Sequence, residues 1–331
     1  MNNSVNVNVS KVDSNNKNWM NKLLYPEVGT VIILIISVIV STMLSPYFAD
    51  IRFILDSTSM FVEFGIVALA LTLVIIAGQI DLSLASNMAL TGCVVATLFH
   101  NGVSMGVAII LGLMLGIVLG VINGIFVTKF GLPSIIVTIG TLSLYRGIGQ
   151  IMMGDHSLGK FPEWFVGIDF RYLVDDLIPI PIIIFIILAI GVGIVLNFTV
   201  FGRQVYAIGT NETAARFSGI PVDRIKMILF CFSGFFGSLA GIMMVSRLGV
   251  SRFDMATGGE LDYVTVVLLG GVDINGGKGN IIGPFIALFI LLTLRTGMSV
   301  ANIKIENQLA VLGFLLILSI AVSNFIYSKK S

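Results

Sequence analysis

Charge is scarce in this chain: Asp, Glu, Lys and Arg make up 11% of the 331 residues, against 56% hydrophobic residues. Average usage is about 25% charged, so the surface of an ordinary soluble domain is excluded. A basic excess is lacking too. The 19 Lys and Arg against 18 Asp and Glu leave a net charge of +1, which cannot neutralise a nucleic-acid backbone. The two cysteines, Cys93 and Cys231, lie in separate apolar runs and read as small buried hydrophobes, with no disulfide framework or zinc cluster. His100 and His156 have no neighbouring Cys or His, so the spacing of a metal site is missing. The Gly-rich run at 276–279 is not a phosphate-cradling loop, because Lys278 is followed by Gly279 and Asn280 rather than by Ser or Thr. No cofactor is implied, and the chain reads as non-catalytic.

What is present is apolar length. The mean hydropathy is +1.02, and apolar runs occupy 28–44, 60–78, 82–99, 106–128, 134–152, 178–200, 227–246, 261–271, 281–297 and 308–326. A helix needs about 20 such residues to cross a bilayer. The expectation is an all-α polytopic membrane protein with about ten transmembrane helices, including broken or re-entrant segments. The run at 261–271 is too short to cross alone. Residues 1–22 are rich in Asn and Ser without a signal-peptide core and read as a disordered cytoplasmic tail, leaving 23–331 as the membrane domain. With ten spans both termini are cytoplasmic. That layout puts eleven Lys and Arg inside and six outside, the sense of the positive-inside rule. The external loops then carry most of the acids, including those of the loop at 153–177.

Polar residues interrupt the apolar runs at two matching places. Gly78-Gln79-Ile80-Asp81-Leu82-Ser83 and Gly270-Gly271-Val272-Asp273-Ile274-Asn275 share G-x-[IV]-D-[IL]-[SN], the paired interruption that marks broken helices in many transporters. The repeat is either parallel or the span count differs. Asp81 or Ser83 has two readings, a cap on the helix that follows or a lining group of a translocation pathway. Thr138 and Thr141 share one face of the fifth run and either bond back to their own helix or line a polar route. Gln79, Asn87 and, more weakly, Asn123 complete the lining candidates. Glu63, near the outer end of the second run, reads as a snorkelling side chain. Gly112, Gly116, Gly120 and Gly124 recur on one helix face, as do Gly234, Gly237 and Gly241, a pattern that suits close helix packing.

The segment 203–225 is polar and lies between two runs. Thr210 or Asn211 can cap a short helix and Glu212 complements its dipole. Gly219 can stop it in the left-handed conformation, Pro221 prevents continuation, and Asp223 can cap the next span. A short helix joined rigidly to a membrane helix is well shaped to receive a push from a partner.

Four motifs in order, covering about residues 28–326, resemble the permease subunits of bacterial ATP-binding-cassette importers, in the branch that handles ribose, rhamnose and autoinducer-2. They are Gly78 to Ser83, Pro133 to Thr141, Asn211 to Ile220, and Leu269 to Gly279. Gln79 departs from the family's usual second Gly. The resemblance implies a multi-pass subunit in the bacterial inner membrane. It implies a pairing with a second permease, the same or a sister, docking on an ABC ATPase, and delivery of a sugar or sugar-like polyol by an extracytoplasmic binding protein. The loop at 211–220 then looks like the coupling helix, with Asn211, Glu212, Ala214, Ala215, Ser218 and Gly219 as coupling residues. The acidic external loop at 154–177, with Trp164 and Phe165, looks like part of the binding-protein contact. Gln79, Asp81, Ser83, Asn87, Thr138 and Thr141 are the expected pathway residues, since a neutral polyol needs hydroxyl and amide partners. The alternative is a stand-alone ion-coupled secondary transporter, which Asp81 and Glu63 keep open.

Overall fold

The structure is a computed structural model that describes residues 26–44, 48, 50–168, 171–173 and 178–328. The expected tail at 1–22 lies outside these residues, as does part of the loop at 153–177. All ten apolar runs fold as helix. In chain order the helices are α1 (Pro26–Leu44), α2 (Ile51–Ser59), α3 (Val62–Ile76), α4 (Leu84–His100), α5 (Met105–Thr128), α6 (Ser134–Met153), α7 (Glu163–Val166), α8 (Ile180–Phe198), α9 (Val200–Thr210), α10 (Glu212–Phe217), α11 (Val222–Leu248), α12 (Gly259–Leu269), α13 (Ile282–Val300) and α14 (Ile305–Ser328). Five of them, α5, α6, α8, α11 and α13, are each long and apolar enough to cross a membrane. The pair α2–α3, bent by 60°, is long and apolar enough only when taken together, as one broken span or a re-entrant loop. Shorter apolar stretches lie in α1 (Gly29–Met43), α4 (Leu84–His100) and α14 (Ile305–Leu318), and α12 reaches only roughly 16 Å at 1.5 Å per residue.

Helix α3 is the centre of the bundle. All fifteen of its residues are buried, which its sequence permits because, Glu63 and Thr72 aside, every position is apolar; α8, α11, α12 and α13 pack around it. The glycine faces meet as their spacing suggests. Gly116 and Gly120 of α5 lie against the backbone of α11 at Phe230 and Gly234, so that a Cβ at Gly120 would collide with the Phe230 carbonyl. The two interruptions also meet. The Gly277 amide donates to the Ile76 carbonyl at 2.8 Å, and Gly209, at the end of α9, sits against both strands of that junction.

On the opposite face, charged groups are paired inside the bundle. The Arg247 Nε donates to Glu63 Oε1 at 2.7 Å and Arg295 to Asp262 at 2.6 Å. Glu63 is therefore not a snorkelling side chain: it is 1% exposed because α11 brings a guanidinium to it, which removes the reason to reach for water. Arg146 donates to the carbonyls of Phe253 and Met255. Two short antiparallel pairs close the loops here, β1 (Leu158–Gly159) with β4 (Val250–Ser251) and β2 (Tyr172–Leu173) with β3 (Ile178–Pro179). In this loop Trp164 is exposed whereas Phe165 is fully buried, its carbonyl accepting from Ser246 Oγ. Of the two aromatics of the loop expected at a partner contact, Trp164 alone is exposed.

Candidate coupling helix and polar route

Helix α10 forms because Asn211 starts it and Gly219 ends the turn that follows it. The Asn211 side chain accepts from the Ala214 amide at 2.9 Å, an N-cap, and Gly219 sits at φ +81°, a conformation that disfavours any residue with a Cβ. Thr210 instead donates to the Tyr206 carbonyl. Ser218 bonds back to Ala214.

Two ion pairs then fasten α10 to α11. Glu212 accepts from Lys226 Nζ at 2.7 Å, and Arg216 makes a bidentate contact with Asp223 at 2.7 and 2.9 Å. Asp223 is thus the far end of a clamp rather than a cap on α11, whose N-cap position, Pro221, has no side-chain bond. The hydrogen bonds that Arg216 donates to Asp223 push its pKa further up, so the guanidinium stays charged at any physiological pH. The two pairs differ in environment. The Lys226 side chain is 9% exposed, while those of Arg216 and Asp223 are both half exposed.

The outward face of α10 is Thr213, Ala214 and Phe217. Ala215, expected at the partner contact, is instead buried in the main core, at 4% exposure, because the cap and clamp turn it toward the bundle. Phe217 is 89% exposed; sequence reasoning passed over it, although a lone aromatic at the end of a polar, six-residue helix was a visible signal. Lys226 was also missed, since nothing in the sequence pairs it with Glu212 fourteen residues earlier.

Beside the clamp lies a cleft of ≈ 310 Å³ lined by Gln79, Leu132, Pro133, Glu212 and Lys226 among others. Gln79 is the one pathway candidate that reaches open space. The others are buried and hydrogen-bonded within the chain. Asp81 accepts from the Ser83 amide and hydroxyl at 3.0 and 2.6 Å and from Ser233 Oγ at 2.5 Å; it does not cap α4 but ties the interruption to α11. Ser83 in turn accepts from Asn123 Nδ2 at 2.8 Å. Asn87 donates to the Gly234 carbonyl and accepts from Thr91. Thr138 donates to the Ser134 and Ile80 carbonyls and Thr141 to that of Val137. These groups form a polar layer joining α4, α5, α6 and α11, and such a layer holds helices in register.

Comparison with known proteins shows the family. A family model described as the permease component of a branched-chain amino acid transport system matches residues 53–320. The chain belongs to this family. It is 34% identical over 297 residues to the autoinducer 2 import system permease protein LsrD of Escherichia coli (strain K12), covering 88% of this chain and 89% of that protein. The LsrD protein of Shigella flexneri matches with the same identity and coverage. No solved structure matches. The resemblance drawn from the four motifs therefore holds at the level of family, and the chain is a membrane permease.

Proposed function

We propose that this chain is the transmembrane permease subunit of an ATP-driven importer that takes up a sugar-like polyol of the autoinducer-2 class. The observation that carries the reading is α10: a capped helix, fastened by two ion pairs to a 27-residue membrane helix, with an aromatic side chain projecting from its free face. A push on that face is passed to α11 through charged contacts, and from α11 through Ser233 to Asp81 and the interruption before α4. The name of the LsrD relatives supplies the ligand class. Family membership supports the partners: an ATPase to hydrolyse nucleotide, an extracytoplasmic binding protein to deliver ligand, and a second permease to complete the route.

In this arrangement the face that carries α10 is cytoplasmic, and both termini lie on that side. About ten membrane passes result when α1, α4 and α14 are counted with the six longer spans and α12 enters as a broken segment beside its interruption. The test is uptake of autoinducer-2 by membrane vesicles that contain the full set of subunits. Uptake should stop without ATP and survive collapse of the proton and sodium gradients. Uptake that follows an ion gradient and ignores ATP would assign the chain to ion-coupled transport instead.

A further inference from the structure

Residues 249–258, between α11 and α12, close the end of the bundle away from α10, and one side chain ties them to α6. Arg146 donates through Nη1 to the carbonyls of Phe253 at 3.0 Å and Met255 at 2.7 Å. A guanidinium inside a membrane helix is costly unless paired, and a carboxylate is a stronger partner than a carbonyl. A carboxylate is near. Glu260, at the start of α12, lies within electrostatic range of Arg146, yet its Oε2 is buried without a hydrogen-bond partner. The pairing that charge favours is unmade, and two carbonyls stand in its place.

The segment is also built to move. Gly249 and Gly258, both left-handed, flank it, and Ala256 is held at φ +56°, a conformation that is unfavourable for a residue with a Cβ and persists where the surroundings impose it. Phe253 packs on α6 at Gly149, where a Cβ would stand 3.6 Å from Phe253 Cβ and 3.8 Å from Cys93 Sγ; the segment therefore lies over the fully buried Cys93. Within it, β4 pairs with β1, which belongs to the loop that carries the exposed Trp164. A pull on that loop is passed to the segment through backbone hydrogen bonds.

We infer that residues 249–258 are a lid on the extracytoplasmic end of the bundle and that Arg146 is the positioning residue that latches it, exchanging the two carbonyls for Glu260 when the Trp164 loop is pulled and the lid lifts. The inference rests on the proposed function, which makes this end extracytoplasmic and a docked binding protein the source of the pull. The exchange leaves the guanidinium paired in both states, so the two differ little in free energy and a docking partner can shift the balance.

The experiment locks the lid in the complete transporter, with its binding protein, in membrane vesicles. The 3.6 Å separation suits a disulfide, so G149C/F253C in a C93S/C231A background should cross-link on oxidation. Uptake of autoinducer-2 should then fall by about tenfold or more and return on reduction, at unchanged membrane level. E260Q, which takes away the charged acceptor of the lifted state, should lower uptake by about tenfold. The latch itself is read at Cys93 in a C231A background with a membrane-impermeant methanethiosulfonate reagent, which needs a water-exposed thiolate. R146Q should label about tenfold faster than the protein that keeps Arg146, or more, and ligand-loaded binding protein should speed labelling of the latter and add nothing to R146Q. Full uptake by the oxidised lock, wild-type uptake by E260Q, or an unchanged Cys93 rate in R146Q overturns the inference. Should R146Q not reach the membrane, the lock, which leaves Arg146 in place, still decides. Wild-type uptake measured alongside separates the two failures: loss of its ATP dependence sinks the proposed function, whereas ATP-dependent uptake that ignores the lock sinks the lid alone.

Discussion

Breaking the Glu212–Lys226 pair is the most informative single perturbation of the clamp. The structure contains two ion pairs between α10 and α11, and they should not contribute equally. Arg216 and Asp223 are both half exposed, a setting in which an ion pair is worth about 0.2–1 kcal/mol. Lys226 is 9% exposed, and Glu212→Gln would leave its ammonium nearly buried against a neutral amide, at a cost of about 1.5–3 kcal/mol. Since about 1.4 kcal/mol is a factor of ten, E212Q should lower the fraction of productively coupled transporters by roughly tenfold to a hundredfold, and R216A by about fivefold at most. The assay is autoinducer-2 uptake normalised to membrane level, together with ATP hydrolysed per molecule imported. That ratio should rise in E212Q, because hydrolysis continues while motion is lost at the joint. A second substitution refines the test: K226M combined with E212Q should be no worse than E212Q alone, since the uncompensated charge is gone. Equal uptake by E212Q and wild type, or a larger defect in R216A than in E212Q, would refute the reasoning.

Other outcomes follow from the same contacts. S233A removes one of three donors to the Asp81 carboxylate and should reduce uptake several-fold with normal insertion, while S233T, which keeps the hydroxyl, should restore it; uptake assays on the two variants separate the cases. E63Q removes the carboxylate that accepts from Arg247 inside the bundle and should lower detergent-solubilised stability, visible as a fall in melting temperature. Replacing both partners, as E63Q/R247M, should recover much of it. G120A places a methyl group against the Phe230 backbone and should reduce the amount of folded protein in the membrane, whereas G140A, with open space around it, should not.

Much of the fold was legible in the sequence because lipid imposes a simple demand: a crossing segment must be apolar, and all ten apolar runs are helices. The end signals of α10 were legible for a similar reason, since Asn211 and Gly219 act on their own backbone neighbours. What could not be read is what depends on packing between distant segments. Thr138 and Thr141 share a face, but nothing in their spacing says whether it points inward; α4 and the interruption before it decide that. Glu63 looks like a side chain seeking water until Arg247, 184 residues later, is placed beside it. Asp223 looks like a cap until Arg216 turns back onto it. Ala215 was assigned to the partner face because its motif position was visible, and its rotation toward the core was not. Phe217 was visible and overlooked, because an aromatic residue in an apolar chain does not stand out until its surroundings are known to be polar.

The most direct test of the account is site-directed cross-linking between α10 and the ATPase. A214C and F217C should each form a disulfide-length cross-link with the ATPase subunit in the assembled transporter, and the F217C link should block uptake. A215C, facing the core, should not. Cross-linking by A215C but not by F217C would contradict the orientation of the helix, and the absence of any ATPase product from all three positions would contradict the claim that force enters the membrane bundle here.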